Sequence, residues 1–196
     1  GIHILPTPMI LGTGLIDDVR KAVSADFKEE GNLVFVVGKT LDEMAGSLLF
    51  RKFGGVEGDV PAVDVDNLIA LMDKMLAAMD KSLVRACHDC SDGGLAVAVS
   101  EMCISGDIGA DIDLKEMGSL ETERKLYSES NTRWIAEVKP ENEAEFRRIL
   151  GDDAKLIGRI GGDRLTIKEA GVDLAVTELR KAWNDPVWKI MGGAAE

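Results

Sequence analysis

The chain has 196 residues, with 23 Lys and Arg against 35 Asp and Glu, for a formal net charge of −12. An apolar fraction of 45% is ordinary for a globular protein and excludes a disordered chain. The negative balance excludes a nucleic-acid backbone or an anionic membrane as main partner, because both would repel it.

Ile2 to Leu5 and Met9 to Ile16 read as extended apolar segments broken by Pro6-Thr7-Pro8, as in an edge strand or a strand changing direction. Asp17 to Val23 has room for a short helix. Asn32 to Gly38 is a continuous apolar run rich in β-branched residues, the mark of a buried strand. Thr40 and Glu43 have the spacing of a capping box, which predicts a helix through about Phe53. Gly54 to Pro61 reads as loop. From Asp64 to Ser82, Leu68, Leu71, Met72, Met75, Leu76 and Met79 recur at helical steps. Their methionines are read as core rather than as a partner groove.

Val84 to His88 is a predicted strand and Leu95 to Cys103 a helix. Ala110 to Leu114 alternates as a strand does, Leu120 to Leu126 is helical, and Arg133 to Val138 is a strand. Pro140 marks a helix start ahead of Glu141 to Leu150. Leu156 to Ile160, Arg164 to Ile167 and Val172 to Val176 are short strands. A last helix from near Thr177 carries Leu179 and Trp183 and is expected to kink or end at Pro186. Together these elements predict an α+β fold, a mixed β-sheet with helices packed on it.

No segment approaches the roughly 20 apolar residues of a membrane span. Gly1 to Pro8 lacks the basic and apolar regions of a signal peptide. Three cysteines make no disulfide framework, so a reducing cytoplasm is expected. An opening on Gly1 rather than Met reads as a piece of something longer.

The stretch Ala86-Cys87-His88-Asp89-Cys90-Ser91-Asp92-Gly93-Gly94-Leu95 joins a predicted strand to a predicted helix. Asp92 is placed as N-cap, and Gly93 and Gly94 leave the first turn without a side-chain wall. Open amides at a helix start favour phosphate. Asp89 and Asp92 would repel a bare phosphate, but carboxylates hold Mg²⁺ and Mg²⁺ holds phosphate oxygens. A capped helix after a tight turn is equally common as plain architecture, and the residues alone leave both readings open. Cys87 and Cys90 have no second paired spacing for zinc. His88 beside two acids suits a general base or a core histidine equally. Neither a Walker A loop nor a G-x-S-x-G elbow is present. A second polar cluster, Ser128-Glu129-Ser130-Asn131-Thr132-Arg133, stands at the entrance of the Trp134 strand.

His88 to Gly94 followed by Leu95 to Met102 resembles the HD-x-SDGG-LA signature of the phosphoribosylformylglycinamidine synthase family. Ile4 to Val23, Leu126 to Val138, Ile157 to Ile167 and Glu178 to Trp183 resemble, in order, further segments of its synthetase subunit. Cys90 departs from the aliphatic residue often found there, and Asn131-Thr132 from the usual polar pair. The family belongs with aminoimidazole ribonucleotide (AIR) synthetase and selenophosphate synthetase.

The resemblance implies an AIR-synthetase C-terminal-domain-like fold at residues 26–196, preceded by tail strands of another subdomain at 1–25. It implies an ATP-dependent carbon–nitrogen ligase of purine biosynthesis. That enzyme converts formylglycinamide ribonucleotide to the formylglycinamidine, with ammonia from a glutaminase subunit and help from a small assembly subunit. The catalytic groups would lie upstream, so no catalytic residue is assigned and the chain alone is expected to be inactive. Carried over by position, Ser91, Asp92, Gly93, Gly94, Ser128 and Ser130 would bind nucleotide, and Asp89 and Glu129 would bind Mg²⁺. A non-catalytic module with a vestigial nucleotide site, or a sister enzyme of the superfamily, are the alternatives.

Overall fold

The computed structural model describes residues 9–55 and 58–192. Its centre is β1 (Leu33–Val37), all five residues of which are buried. Val34 and Val36 face one core, and Leu33, Phe35 and Val37 face the other. That explains the unbroken apolar run, since a strand covered on both faces cannot alternate polar and apolar.

The helices α1 (Leu48–Phe53) and α2 (Val65–Asp80) lead to β2 (Val84–Asp89), and α3 (Gly94–Gly106) leads to β3 (Ala110–Ile112). Next come α4 (Thr122–Tyr127), β4 (Trp134–Val138), α5 (Glu143–Leu150) and β5 (Ala154–Ile160). The chain then runs through β6 (Arg164–Ile167) and β7 (Val172–Ala175) into α6 (Val176–Ile190). The sheet order is β2-β4-β1-β5-β3-β6-β7. The first four of these strands pair antiparallel, with α2 and α5 as crossovers of two interleaved βαβ units. Among the described residues the one parallel pair is β3 with β6, so the sheet is mixed, as expected.

On one face α2 and α5 bury Leu71, Met75, Phe146 and Leu150. On the other, α3, α4 and α6 bury Leu95, Met102, Leu126 and Val176. The segment before β1 closes the β2 edge, where Cys87 N–H donates to the Ser24 carbonyl at 3.0 Å. Among the described residues no helix is long and apolar enough to cross a membrane.

Several expectations need correction. Residues 39–47 form no helix, and α1 begins only after its N-cap Ser47. The groups of the expected capping box are engaged elsewhere. Thr40 Oγ1 accepts from Arg133 Nη1 at 3.0 Å, and Glu43 Oε1 accepts from Ala62 N–H at 3.2 Å. The predicted α2 face is half right. Leu71 and Met75 are buried, but Met72 and Leu76 are exposed, because the sheet covers a narrower stripe than the apolar pattern spans. Pro186 does not end α6, which continues to Ile190. This half of the helix is exposed, so water can satisfy the carbonyl that proline leaves unpaired. Residues 9–16 carry neither strand nor helix, and Val19–Lys21 is a single 3₁₀ turn. The strand expected at Ile2 to Leu5 lies outside the described residues.

Phe146 is fully buried and its ring lies 5.1 Å from that of Phe35. Phe146→Ala should therefore cost about 3–5 kcal/mol, read as a fall in the urea midpoint with the slope unchanged. Leu76→Ser on the exposed stripe should change stability by no more than about 0.5 kcal/mol.

Candidate functional site

The two polar motifs meet at one end of the sheet. Trp134, the first residue of β4, pairs with Asp89 on one side and with Val37 on the other. The turn after β2, the loop before β4 and the loop after β1 are thereby brought side by side. Cys90 N–H donates to the Arg133 carbonyl at 3.0 Å and extends the pairing into the turn.

Between the turn after β2 and the loop before β4 lies a cleft of about 410 Å³, which Pro61 and Leu68 also line. Asp89, Ser91, Asp92, Glu129, Asn131 and Thr132 are among its lining residues. The Asp89 side chain is 65% exposed, and Ser91 and Asp92 are exposed too. These expected ligand-binding residues do face open space.

Gly93 and Gly94 do not. Both are buried. Gly94 has φ +65°, and a Cβ there would lie 2.6 Å from the Ser128 carbonyl oxygen and 2.8 Å from that of Leu126. Glycine is needed at this position for the backbone conformation and for close packing on the neighbouring loop. Asp92 is not the N-cap, contrary to expectation. Gly93 holds that position at φ +82°, with no side-chain cap of its own. The left-handed turn displaces the helix start by one residue and leaves Asp92 at the cleft.

Glu129 takes over the capping. Its Oε1 accepts from Gly93 N–H at 2.8 Å and from Leu48 N–H at 2.9 Å. One carboxylate oxygen thus ties the starts of α3 and α1 together. Ser128 and Ser130 are buried behind the cleft wall. Ser128 Oγ donates to the Leu41 carbonyl at 2.6 Å, and Ser130 Oγ accepts from Leu41 N–H at 3.0 Å.

Local pattern hid the importance of two other residues. Arg133 is almost wholly buried, and its Nε donates to the Ser130 carbonyl at 2.9 Å. Burial pulls its pKa down, while Cys90, Glu43 and Glu129 push it back up. Thr132 sits at the cleft with φ +59°, a conformation that costs a β-branched residue about 1–3 kcal/mol. The only signal for either was an arginine placed among polar residues at a strand entrance.

The thiols are held in their protonated, weakly nucleophilic form. Burial pushes Cys87 and Cys103 up to about 12 and Cys90 up to about 11. Among the described residues no three His, Cys, Asp or Glu side chains gather around one point as a metal site. The hard oxygen donors Asp89 and Asp92 nevertheless line one cleft. That set suits an ion held by one or two carboxylates and completed by phosphate oxygens and water, the habit of Mg²⁺.

A family model described as AIR synthase related protein, C-terminal domain, matches residues 29–168, which contain every residue lining the cleft. The chain belongs to this family. Phosphoribosylformylglycinamidine synthase subunit PurL of Thermoplasma acidophilum is 36% identical over 186 residues, covering 92% of this chain and 24% of that protein. PurL of Limosilactobacillus reuteri is 35% identical over 191 residues, covering 95% of this chain and 25% of that protein. The chain therefore spans about a quarter of the length of the curated relatives it matches.

Thermotoga maritima PurL complexed with FGAR superposes with a TM-score of 0.71 at 18% identity, over 83% of this chain and 30% of that one. Escherichia coli HypE, a hydrogenase maturation protein, superposes at 0.56 and 20% identity, over 79% of this chain and 51% of that one. At such identities these two likenesses establish the AIR-synthase-type fold alone.

Two outcomes are expected. Gly94→Ala should lose about 2 kcal/mol or more in chemical denaturation, because backbone stands where the new methyl would go. In the folded protein at pH 8 the three cysteines should resist a disulfide reagent, and all three should react once urea unfolds the chain.

Proposed function

We propose that the chain is the last C-terminal subdomain of a phosphoribosylformylglycinamidine synthase synthetase subunit, with the tail of the preceding subdomain at 1–25. The whole protein would be an ATP-dependent ligase of purine biosynthesis acting in the cytoplasm, and the chain by itself inactive. The observation that carries this is the identity to PurL chains across 92–95% of the sequence, both polar motifs included. Structures of T. maritima PurL with FGAR, with ATP and as PurLQS support nucleotide substrates and assembly partners for the whole protein, in line with a glutaminase and a small subunit.

Within this subdomain we assign the cleft to a magnesium–nucleotide. Asp89 is the metal-binding carboxylate, and Ser91 and Asp92 meet the phosphate end. Gly93, Gly94, Ser128 and Ser130 shape the wall behind them. Glu129 has its Oε1 committed to two amides and serves the site first by fixing both helix starts. Bound Mg²⁺ would neutralise phosphate charge against the acidic cleft. The protein's own part is to hold the Asp89 and Asp92 carboxylates at the cleft against a hydrogen-bonded wall, so that the ligand meets a formed site.

In the full-length protein, Asp89→Asn should weaken Mg²⁺-dependent ADP binding about tenfold or more in calorimetry, with the fold intact. Unchanged affinity would remove the metal role from Asp89 and leave a module with a vestigial site.

A further inference from the structure

His88, just ahead of Asp89 on β2, is held between two carboxylates. Its Nε2 lies 2.8 Å from Glu101 Oε2, and its Nδ1 lies 3.2 Å from Asp89 Oδ1. Asp89 lines the cleft and Glu101 does not. Glu101 is carried by α3, whose neighbouring residues Ala98, Met102 and Cys103 are locked in the core. The His88 and Glu101 side chains are only 22% and 28% exposed, whereas Asp89 is mostly in solvent. A rigid helix thus reaches an exposed cleft residue through one imidazole ring.

An exposed aspartate samples several rotamers, and ordering it when a ligand binds costs affinity. A ring whose far nitrogen is held by Glu101 is restrained about its own torsion, which keeps its Nδ1 edge beside Asp89 Oδ1. Carboxylates that orient a histidine edge in this way are a recurrent device around metal sites. We propose that Glu101 is a positioning residue that acts through His88 to set the Asp89 carboxylate for a phosphate-borne divalent cation. The inference rests on the assignment of Asp89 to the metal. A purely structural role, in which the His88–Glu101 contact only ties β2 to α3, would affect stability and leave metal binding alone.

The test uses the full-length protein with Mn²⁺ and ADP as probes. Free Mn²⁺ is read by electron paramagnetic resonance, and the thermal midpoint is followed in parallel. Sites elsewhere in the protein contribute equally to every variant, so differences report on this cleft. Glu101→Ala should weaken Mn²⁺–ADP binding about tenfold. Glu101→Gln should recover most of the loss, because its amide oxygen still accepts from the ring. His88→Phe keeps the ring volume, cuts the link, and should lose as much as Glu101→Ala; it decides the matter should Glu101→Ala fail to fold. With Asp89 already changed to Asn, Glu101→Ala should cost nothing more, whereas independent effects would add. If Asp89→Asn weakens binding but Glu101→Ala and His88→Phe stay within twofold of the unmodified protein, the positioning role is overturned and the Asp89 assignment stands. If Asp89→Asn itself changes nothing, the assignment beneath the inference is what fails.

Discussion

The buried guanidinium of Arg133 is the interaction on which the cleft depends. Taking a charge out of water costs several kcal/mol, and the cost is met only when its donors are well paired. Here Nε and Nη2 donate to the carbonyls of Ser130 and Ser128, and Nη1 reaches Thr40. The loop before β4 is therefore folded back on its own arginine and tied to the loop after β1. Gly38 permits this approach. Its φ is +95°, and a Cβ there would overlap the Thr132 carbonyl oxygen. Removing the guanidinium would leave carbonyls unpaired on one loop and a hydroxyl on another, and the wall that carries Glu129 would lose its support.

That wall explains the charge pattern of the site. Arg133 is the cation among the residues lining the cleft and is almost wholly buried, whereas the carboxylates of Asp89 and Asp92 stand exposed. A bare phosphate entering would meet Asp89 and Asp92 before any positive group, whereas one carrying a divalent ion would be drawn in. Behind the wall, Glu43 keeps one carboxylate oxygen buried without a partner among the described residues. An orphan of this kind costs about 1–3 kcal/mol. It marks the loop after β1 as shaped by its contacts with neighbouring loops rather than by its own stability.

The legible parts of the fold were those where one local pattern met no rival. The apolar run of β1, the span of α2 from just after Asp64, and the late strands fall where the residues place them. The failures share a cause. Thr40 and Glu43 have capping spacing, but an arginine 93 residues from Thr40 and an amide 19 residues from Glu43 claim their side chains. Asp92 lost its cap to two left-handed glycines, because packing against residues 126–128 fixes the turn. In the site, residue types gave the carboxylates and the turn. The pairing of Glu129 with Leu48, 81 residues apart, and of His88 with Glu101 across β2 and α3 exists only in three dimensions.

Glu129 shows how a motif can be located correctly and its role still turn on geometry. A carboxylate beside a glycine turn suits a metal ligand, and in sequence nothing argues otherwise. In the fold its Oε1 accepts from two amides of two helices, so full use as a ligand would release α1 and α3 at their starts. Those amides are also the donors that a phosphate would want. The acid therefore holds the anion seat itself, and a nucleotide entering the cleft must compete with it or stay outside it. The cheaper course is to stay outside. Asp89 is mostly in solvent even beside His88, Ser91 and Asp92 are exposed, and neither helix start has to open. Affinity in such a cleft would come through the cation rather than through the helix amides, so the acidic lip matters more than the glycines that first draw attention to it.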